Sequence, residues 1–166
     1  MSEANTIPKK NIKIGYFNYS LCEKCGGACC KSHAGQYIPS DFKQSITVDF
    51  ILSLLKTGKF AIDWWDGDVK DNGLSQVYYI RARHKDEPAI DGSWGGICVN
   101  WTKEKGCSLN EDKRPFQCRM LIPKFDINNG YACKTSKKHK ADKRGCTEAW
   151  YDYQNILNEV AEVFKD

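Results

Sequence analysis

The 166-residue chain predicts an α+β fold: a small, irregular, metal-stabilised domain with short antiparallel strands, a mid-chain helix and a C-terminal helix. Three observations predict it. Four of the nine cysteines fall within residues 22–30. Short runs rich in aromatic and β-branched residues alternate with turn residues, as antiparallel strands do. Two stripes of apolar residues at helical spacing stand apart from those runs. No internal repeat or low-complexity linker interrupts the chain, so residues 1–166 read as one domain with a core at about 16–165.

The first element is the cysteine segment Cys-Glu-Lys-Cys-Gly-Gly-Ala-Cys-Cys. Cys22 and Cys25 have the C-x-x-C interval, in which one tight turn aims two thiolates at a single soft cation. Gly26 and Gly27 follow where a knuckle needs positive φ and backbone N–H groups that face sulfur. Cys29 and Cys30 add two sulfurs. Their side chains diverge in most backbone conformations, so they serve different metals, or one is a ligand and the other a free thiol.

A helix is expected within Ile38 to Gly58. Pro39-Ser40-Asp41 opens the segment, Ile46, Phe50, Leu54 and Leu55 form the stripe, and Gly58 sits at the C-terminal cap. Residues 63–73 are turn-rich. A calcium loop fails there because Lys70 stands where an oxygen ligand belongs and no bidentate Glu follows, leaving a hairpin or loop closed by Asn72-Gly73. Gln76 to Arg83 reads as a strand, with Gly96 to Trp101 and Met120 to Ile127 as further short ones. Asn128-Asn129-Gly130 is a turn returning through Tyr131 to Lys134. A last helix is capped by Thr147 and carries Trp150, Tyr153, Leu157, Val160 and Phe164 on one face.

The remaining cysteines lie downstream. Cys98 and Cys107 flank one short segment, Cys118 follows in Arg-Pro-Phe-Gln-Cys-Arg, and Cys133 and Cys146 flank a basic stretch. A site joining residues 22–30 to 98–146 would tie the fold across a long loop and couple metal binding to folding. Ordinary zinc-ribbon spacing asks for a second C-x-x-C, and the chain has none.

The combination C-x-x-C-G-G-x-C-C, Ile38 and Asp41, Cys98-x8-Cys107-Ser-Leu, Arg114-Pro115-x-x-Cys118-Arg119 and Pro123 resembles the YkgJ-type cysteine-cluster family, described as zinc- or iron-chelating. The resemblance covers roughly residues 20 to 125 in separate blocks. It implies a metal-binding domain with Cys22, Cys25, Cys29, Cys30, Cys98, Cys107 and Cys118 in the site. One branch of that family resembles flagellin lysine methylases, which leaves enzymatic activity open. Cys133 and Cys146 join the candidate set from this chain alone.

Sulfur ligation by itself does not separate zinc from iron. The excess of thiols over the four that tetrahedral zinc takes leans toward iron or an iron–sulfur cluster, with zinc as the alternative. The expectation is a metal-binding protein with electron-transfer or metal-dependent modification chemistry. The alternative is a structural-zinc interaction module or a metal carrier without catalysis.

Other signals are weaker. Lys134, Lys137, Lys138, Lys140, Lys143, Arg144 and His139 form a basic run with no interleaved aromatic residue, so a solvated loop is preferred to a nucleic-acid contact. The net charge of +4 treats cysteines as neutral, and metal-bound thiolates would lower it. Arg114 either presents a fork to an anionic substrate or offsets thiolate charge. Tyr78, Tyr79, Arg81 and Arg83 alternate sides if 76–83 is a strand, with packing preferred to a pocket. His33 lies near enough to Cys30 in sequence to complete a mixed site; His84 and His139 have less claim. Catalytic templates are absent: no G-x-S-x-G, P-loop or H-E-x-x-H occurs, and residues 92–96 do not form G-x-G-x-x-G. With no secretory-type start, no membrane-length apolar run, and thiols clustered as ligands are, a cytoplasmic location is expected.

Overall fold

In the computed structural model, the described residues are 24–67, 76–93, 95–126, 128, 130–135 and 140–164. Cys22, Lys70, Asn72-Gly73 and His139 lie outside them, as do residues 136–138 of the basic run.

The α+β expectation holds. Five α-helices, α1 (Ala28–Ser32), α2 (Val48–Lys56), α3 (Phe116–Arg119), α4 (Lys143–Glu148) and α5 (Gln154–Val163), accompany three two-stranded antiparallel ladders among the described residues. The ladders pair β1 (Phe60–Asp66) with β2 (Gln76–Ala82), β3 (Trp101–Thr102) with β4 (Gly106–Cys107), and β5 (Leu121–Asp126) with β6 (Gly130–Thr135). No described helix is long and apolar enough to cross a membrane.

The β1–β2 ladder is the centre, because both its faces are covered. Ile62 opposite Ile80 faces the apolar core, where Ile51 and Leu55 of α2, Trp150, and Leu157 and Val160 of α5 are essentially sealed from water. Strand alternation puts Asp63, Tyr79 and Arg81 on the opposite face. Backbone bonds extend the ladder on both sides. Ala89 O accepts from Ile62 N–H (2.8 Å) and Ile62 O from Asp91 N–H (2.9 Å). On the β2 side, Tyr37 N–H donates to Ile80 O (2.9 Å) and Ala82 N–H to Gly35 O (3.0 Å).

The second face buries charge. Arg81 Nε donates to Asp63 Oδ2 and its Nη2 to Asp91 Oδ2, both at 2.7 Å, while Nη1 and Nη2 also reach the Ala82 and Asp91 carbonyls. Trp64 N–H donates to Asp63 Oδ1 (2.6 Å). The low dielectric strengthens these bonds, and no buried side-chain nitrogen or oxygen among the described residues lacks a partner.

Three elements depart from the sequence reading. The mid-chain helix begins at Val48 rather than near Pro39. Pro39–Asp41 is a separate 3-10 turn, and Thr47 Oγ1 caps α2 by accepting from Phe50 N–H (3.1 Å). Asp63–Asp66, expected in a turn, completes β1, because Asp63 finds a buried cationic partner. The C-terminal stripe bends: Asp142 caps α4, a 3-10 turn spans Tyr151–Tyr153, and α5 starts afresh at Gln154. Thr147 is no cap. It lies inside α4, fully buried, where its Oγ1 accepts from Trp65 Nε1–H (2.9 Å). The expected strand Gly96 to Trp101 shrinks to Trp101–Thr102, its earlier residues serving as bridging backbone.

Arg81→Met should therefore cost about 3–5 kcal/mol, because two buried carboxylates lose their shared cation. Urea denaturation measures this; a loss below about 1 kcal/mol would show that water reaches Asp63 and Asp91.

Candidate metal centre

One cavity gathers five of the cysteines. Cys29, Cys30, Cys98, Cys107 and Cys118 line it, with His33, Gly35, Asn100, Leu109, Pro115, Gln117 and Leu121 completing the wall. The five come from four stretches far apart in sequence, so each needs its own anchor.

The knuckle sets the first. Gly26 and Gly27 take φ of 67° and 83°, as the segment requires, and Ala28 N–H turns back onto Cys25 Sγ (3.3 Å). The chain then enters α1, which carries Cys29 and Cys30. Trp101 Nε1–H donates to Gly26 O (2.9 Å). Since Trp101 is the register partner of Cys107, this bond fastens the knuckle to the β3–β4 ladder. A Cβ on Gly27 would strike the same indole, so the close approach requires glycine.

Cys98 is tied directly to α1, its N–H donating to Cys30 O at 2.7 Å. Cys118 is delivered by α3. Gln36 and Gln117 clasp, Gln36 N–H donating to Gln117 Oε1 (3.0 Å) and Gln117 N–H to Gln36 O (3.2 Å). Asp41 locks α3 from outside: its Oδ2 accepts from Ile38 N–H (3.0 Å) and Phe116 N–H (2.9 Å), and its Oδ1 from Arg119 Nη2 (2.7 Å). Cys118 then packs onto Gly35 so closely that any Cβ there would overlap its sulfur.

The thiols influence one another. Cys30 shares hydrogen bonds with Cys107 and Cys29, and these, with burial, hold its thiol in the protonated form, far above the usual range. The donated proton stabilises the Cys107 thiolate and brings that group down to about 6, against the opposing effect of burial and with help from the Arg114 charge. Burial, then the neighbouring cysteines, push Cys118 well up; burial also raises Cys98. Arg114 is itself buried, its Nε donating to Leu109 O (3.0 Å), and its charge offsets that of Cys107 and Cys118.

The other candidate cysteines sit differently. Cys25 stands in the knuckle but does not line the cavity. None of the seven cysteines with described side chains is in a disulfide. Cys133 lies on β6 opposite Pro123, on a strand that runs beside α1. Cys146 is brought elsewhere: fully buried, it points its thiol at Lys140 O (3.8 Å), and burial raises it to about 12. Among the described residues, no three His, Cys, Asp or Glu side chains are so arranged that they could hold a metal ion as they lie.

A second cavity adjoins the first, and His33 belongs to both walls. Asp63, Tyr79, Arg81, His84 and Ser93 line it, a polar set that the sequence reading did not assemble. Alternation along 76–83 offered Tyr79 and Arg81 to a pocket, a use the sequence ranked below packing, and the pairing of Arg81 with Asp63 and Asp91 is non-local. Burial pushes the Asp63 carboxyl up against the pull of Arg81, whereas at Asp91 the bonds from Ser93 and Arg81 outweigh burial and bring it down. His84, Ser93 and Asp91 are contiguous but do not form a nucleophilic triad. Ser93 Oγ donates to Asp91 Oδ2 (2.7 Å), and His84 Nε2 is already occupied as acceptor of Ala34 N–H (3.0 Å). That acceptor role places the ring proton on Nδ1, 3.2 Å from Ser93 Oγ. Burial first, then Arg81, lowers His84 to about 4. His84 thus pins the chain between the two cavities.

No family model matches the chain, no curated protein is significantly similar to it, and no solved structure matches its fold.

Two predictions follow from this geometry. Gly35→Ala should destabilise the domain by about 1–3 kcal/mol through overpacking and expose Cys118, read as faster alkylation of that thiol; an unchanged rate would contradict the packing. His84 binds a proton more readily unfolded than folded, so acid favours the unfolded chain: stability should fall as pH drops from about 6.5 to about 4 and level off below. His84→Gln should flatten that part of the denaturation-midpoint profile; an unaltered slope would assign the loss to other groups.

Proposed function

We propose that the protein binds a thiophilic metal through the cavity thiols Cys29, Cys30, Cys98, Cys107 and Cys118, with Cys22 and Cys25 of the C-x-x-C interval as further candidate ligands. The observation that carries the reading is the convergence of five cysteines from four separate stretches on one cavity wall. A hydrophobic core gains little from so many thiols together, and deprotonation of Cys30 and Cys118 works against burial and the neighbouring sulfurs. A cation removes that penalty by replacing the protons, which is why soft metals take sulfur-rich sites. The donor chemistry fits such an ion. No three of these side chains as they lie are arranged to hold one ion, so ligation requires them to turn toward a common centre.

The surplus over the four thiolates of tetrahedral zinc favours iron, including an iron–sulfur cluster. Such a group would supply electron transfer or metal-dependent modification chemistry. The chain's own contribution is to hold the thiols with α1, the β3–β4 ladder and α3, and to balance their charge with Arg114. Structural zinc is the second reading, favoured by the deep burial of Cys30 and Cys98, and would make the protein an interaction module or carrier. Cys146, bonded to the Lys140 carbonyl, is the spare thiol, and Cys133 on β6 stays a candidate. The resemblance to cysteine-cluster chelating proteins agrees with either metal. Clustered cysteines outside any disulfide among the described residues accord with the reducing cytoplasm.

Anaerobic purification with iron, zinc and acid-labile sulfide measured on one sample tests the reading. We expect stoichiometric metal that falls at least twofold in Cys29→Ser, Cys107→Ser and Cys118→Ser; unchanged metal in all three would sink the assignment. Cys22→Ser and Cys25→Ser test the knuckle separately, and unchanged content there would leave ligation to the cavity alone.

A further inference from the structure

We infer that Lys31, Lys85, Ile97 and Trp101 form a docking face for a second protein, one that presents carboxylates around an apolar side chain. The purpose of the face rests on the metal-binding reading above, since it names the partner that would meet that site. His84 and Cys98 are antiparallel bridge partners and both are buried, with Lys85 N–H donating to Ile97 O at 2.7 Å. Alternation across that bridge turns Lys85 and Ile97 together to the outer side. Ile97 is accordingly 41 % exposed, one of two large apolar side chains so placed among the described residues. Ser32 O accepts from Gly96 N–H (3.0 Å), which brings the end of α1, with exposed Lys31, alongside. The four residues thus adjoin the cavity wall: Lys31 follows Cys30, Ile97 precedes Cys98, and Trp101 pairs with Cys107.

Charge identifies the occupant. The ammonium groups of Lys31 and Lys85 each lie 5.2 Å from the centre of the Trp101 ring. Stacking on the indole orders two long side chains, so less freedom is lost when a carboxylate meets them. Two cations on one ring oppose each other. Among the described residues neither forms an ion pair with a carboxylate, Asp86 and Glu87 of the adjoining turn included. An acidic partner supplies the missing counter-charge, and Ile97 gives the contact the apolar centre that a polar rim surrounds in protein interfaces. A nucleic acid fits less well. The ring on which a base would stack is covered by the ammonium groups, and Ile97 offers nothing to a phosphate.

The test uses the full chain, purified anaerobically with its metal measured on the same sample, and a fluorescein-labelled peptide with glutamates on both sides of a central leucine. Fluorescence anisotropy should show saturable binding that weakens as salt rises. Lys31→Gln and Lys85→Gln should each raise Kd about threefold or more, and Ile97→Ser should do so while leaving the salt dependence in place. Lys56→Gln, at an exposed position of α2, should bind as the wild type does. Metal content should be the same in every variant. Absence of binding by metal-loaded protein, or binding that all the variants share, overturns the docking face and leaves the metal reading standing. Tighter binding of a single-stranded RNA of equal charge, lost with the same lysines, overturns the protein partner in favour of a nucleic acid. Protein that binds the peptide through these side chains but holds neither zinc nor iron overturns the metal reading alone.

Discussion

Four consecutive residues, Ala34 to Tyr37, hold this molecule together, and between them they bond to His84, β2, α3 and Trp150. Ala34 N–H reaches His84, Gly35 O takes the Ala82 amide of β2, Gln36 clasps Gln117 ahead of Cys118, and Tyr37 bonds both Ile80 of β2 and the Trp150 indole (2.8 Å). This seam runs straight on from α1. The backbone that carries Cys29 and Cys30 is therefore indexed within a few residues to the central ladder, to α3 and to the helical core. The cavity inherits its rigidity from that indexing, since functional side chains are held best by packed, regular elements.

The seam also divides two chemistries. On one side lie the thiols, protonated or charge-balanced by Arg114; on the other, Asp63, Arg81 and Asp91 form a buried, hydrogen-bonded ion cluster. Buried ion pairs contribute little net stability against an apolar alternative, although breaking one is costly. Their role here is one of specification: with both carboxylates committed to Arg81, and His84 neutral and committed to Ala34, the chain beside the cysteines has one arrangement that satisfies every donor. The apolar helices on the opposite face supply the bulk of the burial.

What the sequence reveals divides along local and non-local lines. β2 and the β5–β6 ladder were legible because alternation and an Asn-Gly turn are local signals. The α5 stripe was legible for the same reason, but its break after Trp150 was not, because Thr147 is drawn inward by Trp65 of a distant strand. Pro39-Ser40-Asp41 imitated a helix start, yet the Asp41 carboxylate is engaged by Ile38, Phe116 and Arg119, two of them some 75 residues away by number. The cysteines announced a site by their spacing. Which of them share a wall depends on Gly35 admitting Cys118 and on the Trp101 contact with Gly26, which no local pattern encodes.

Ligation of a metal by the cavity sulfurs, as proposed, is read out by X-ray absorption at the metal edge of the anaerobically purified protein. The expected first shell is dominated by sulfur, three or four scatterers at about 2.3 Å, with sulfur lost from that shell in Cys107→Ser. A first shell of oxygen and nitrogen alone would contradict it.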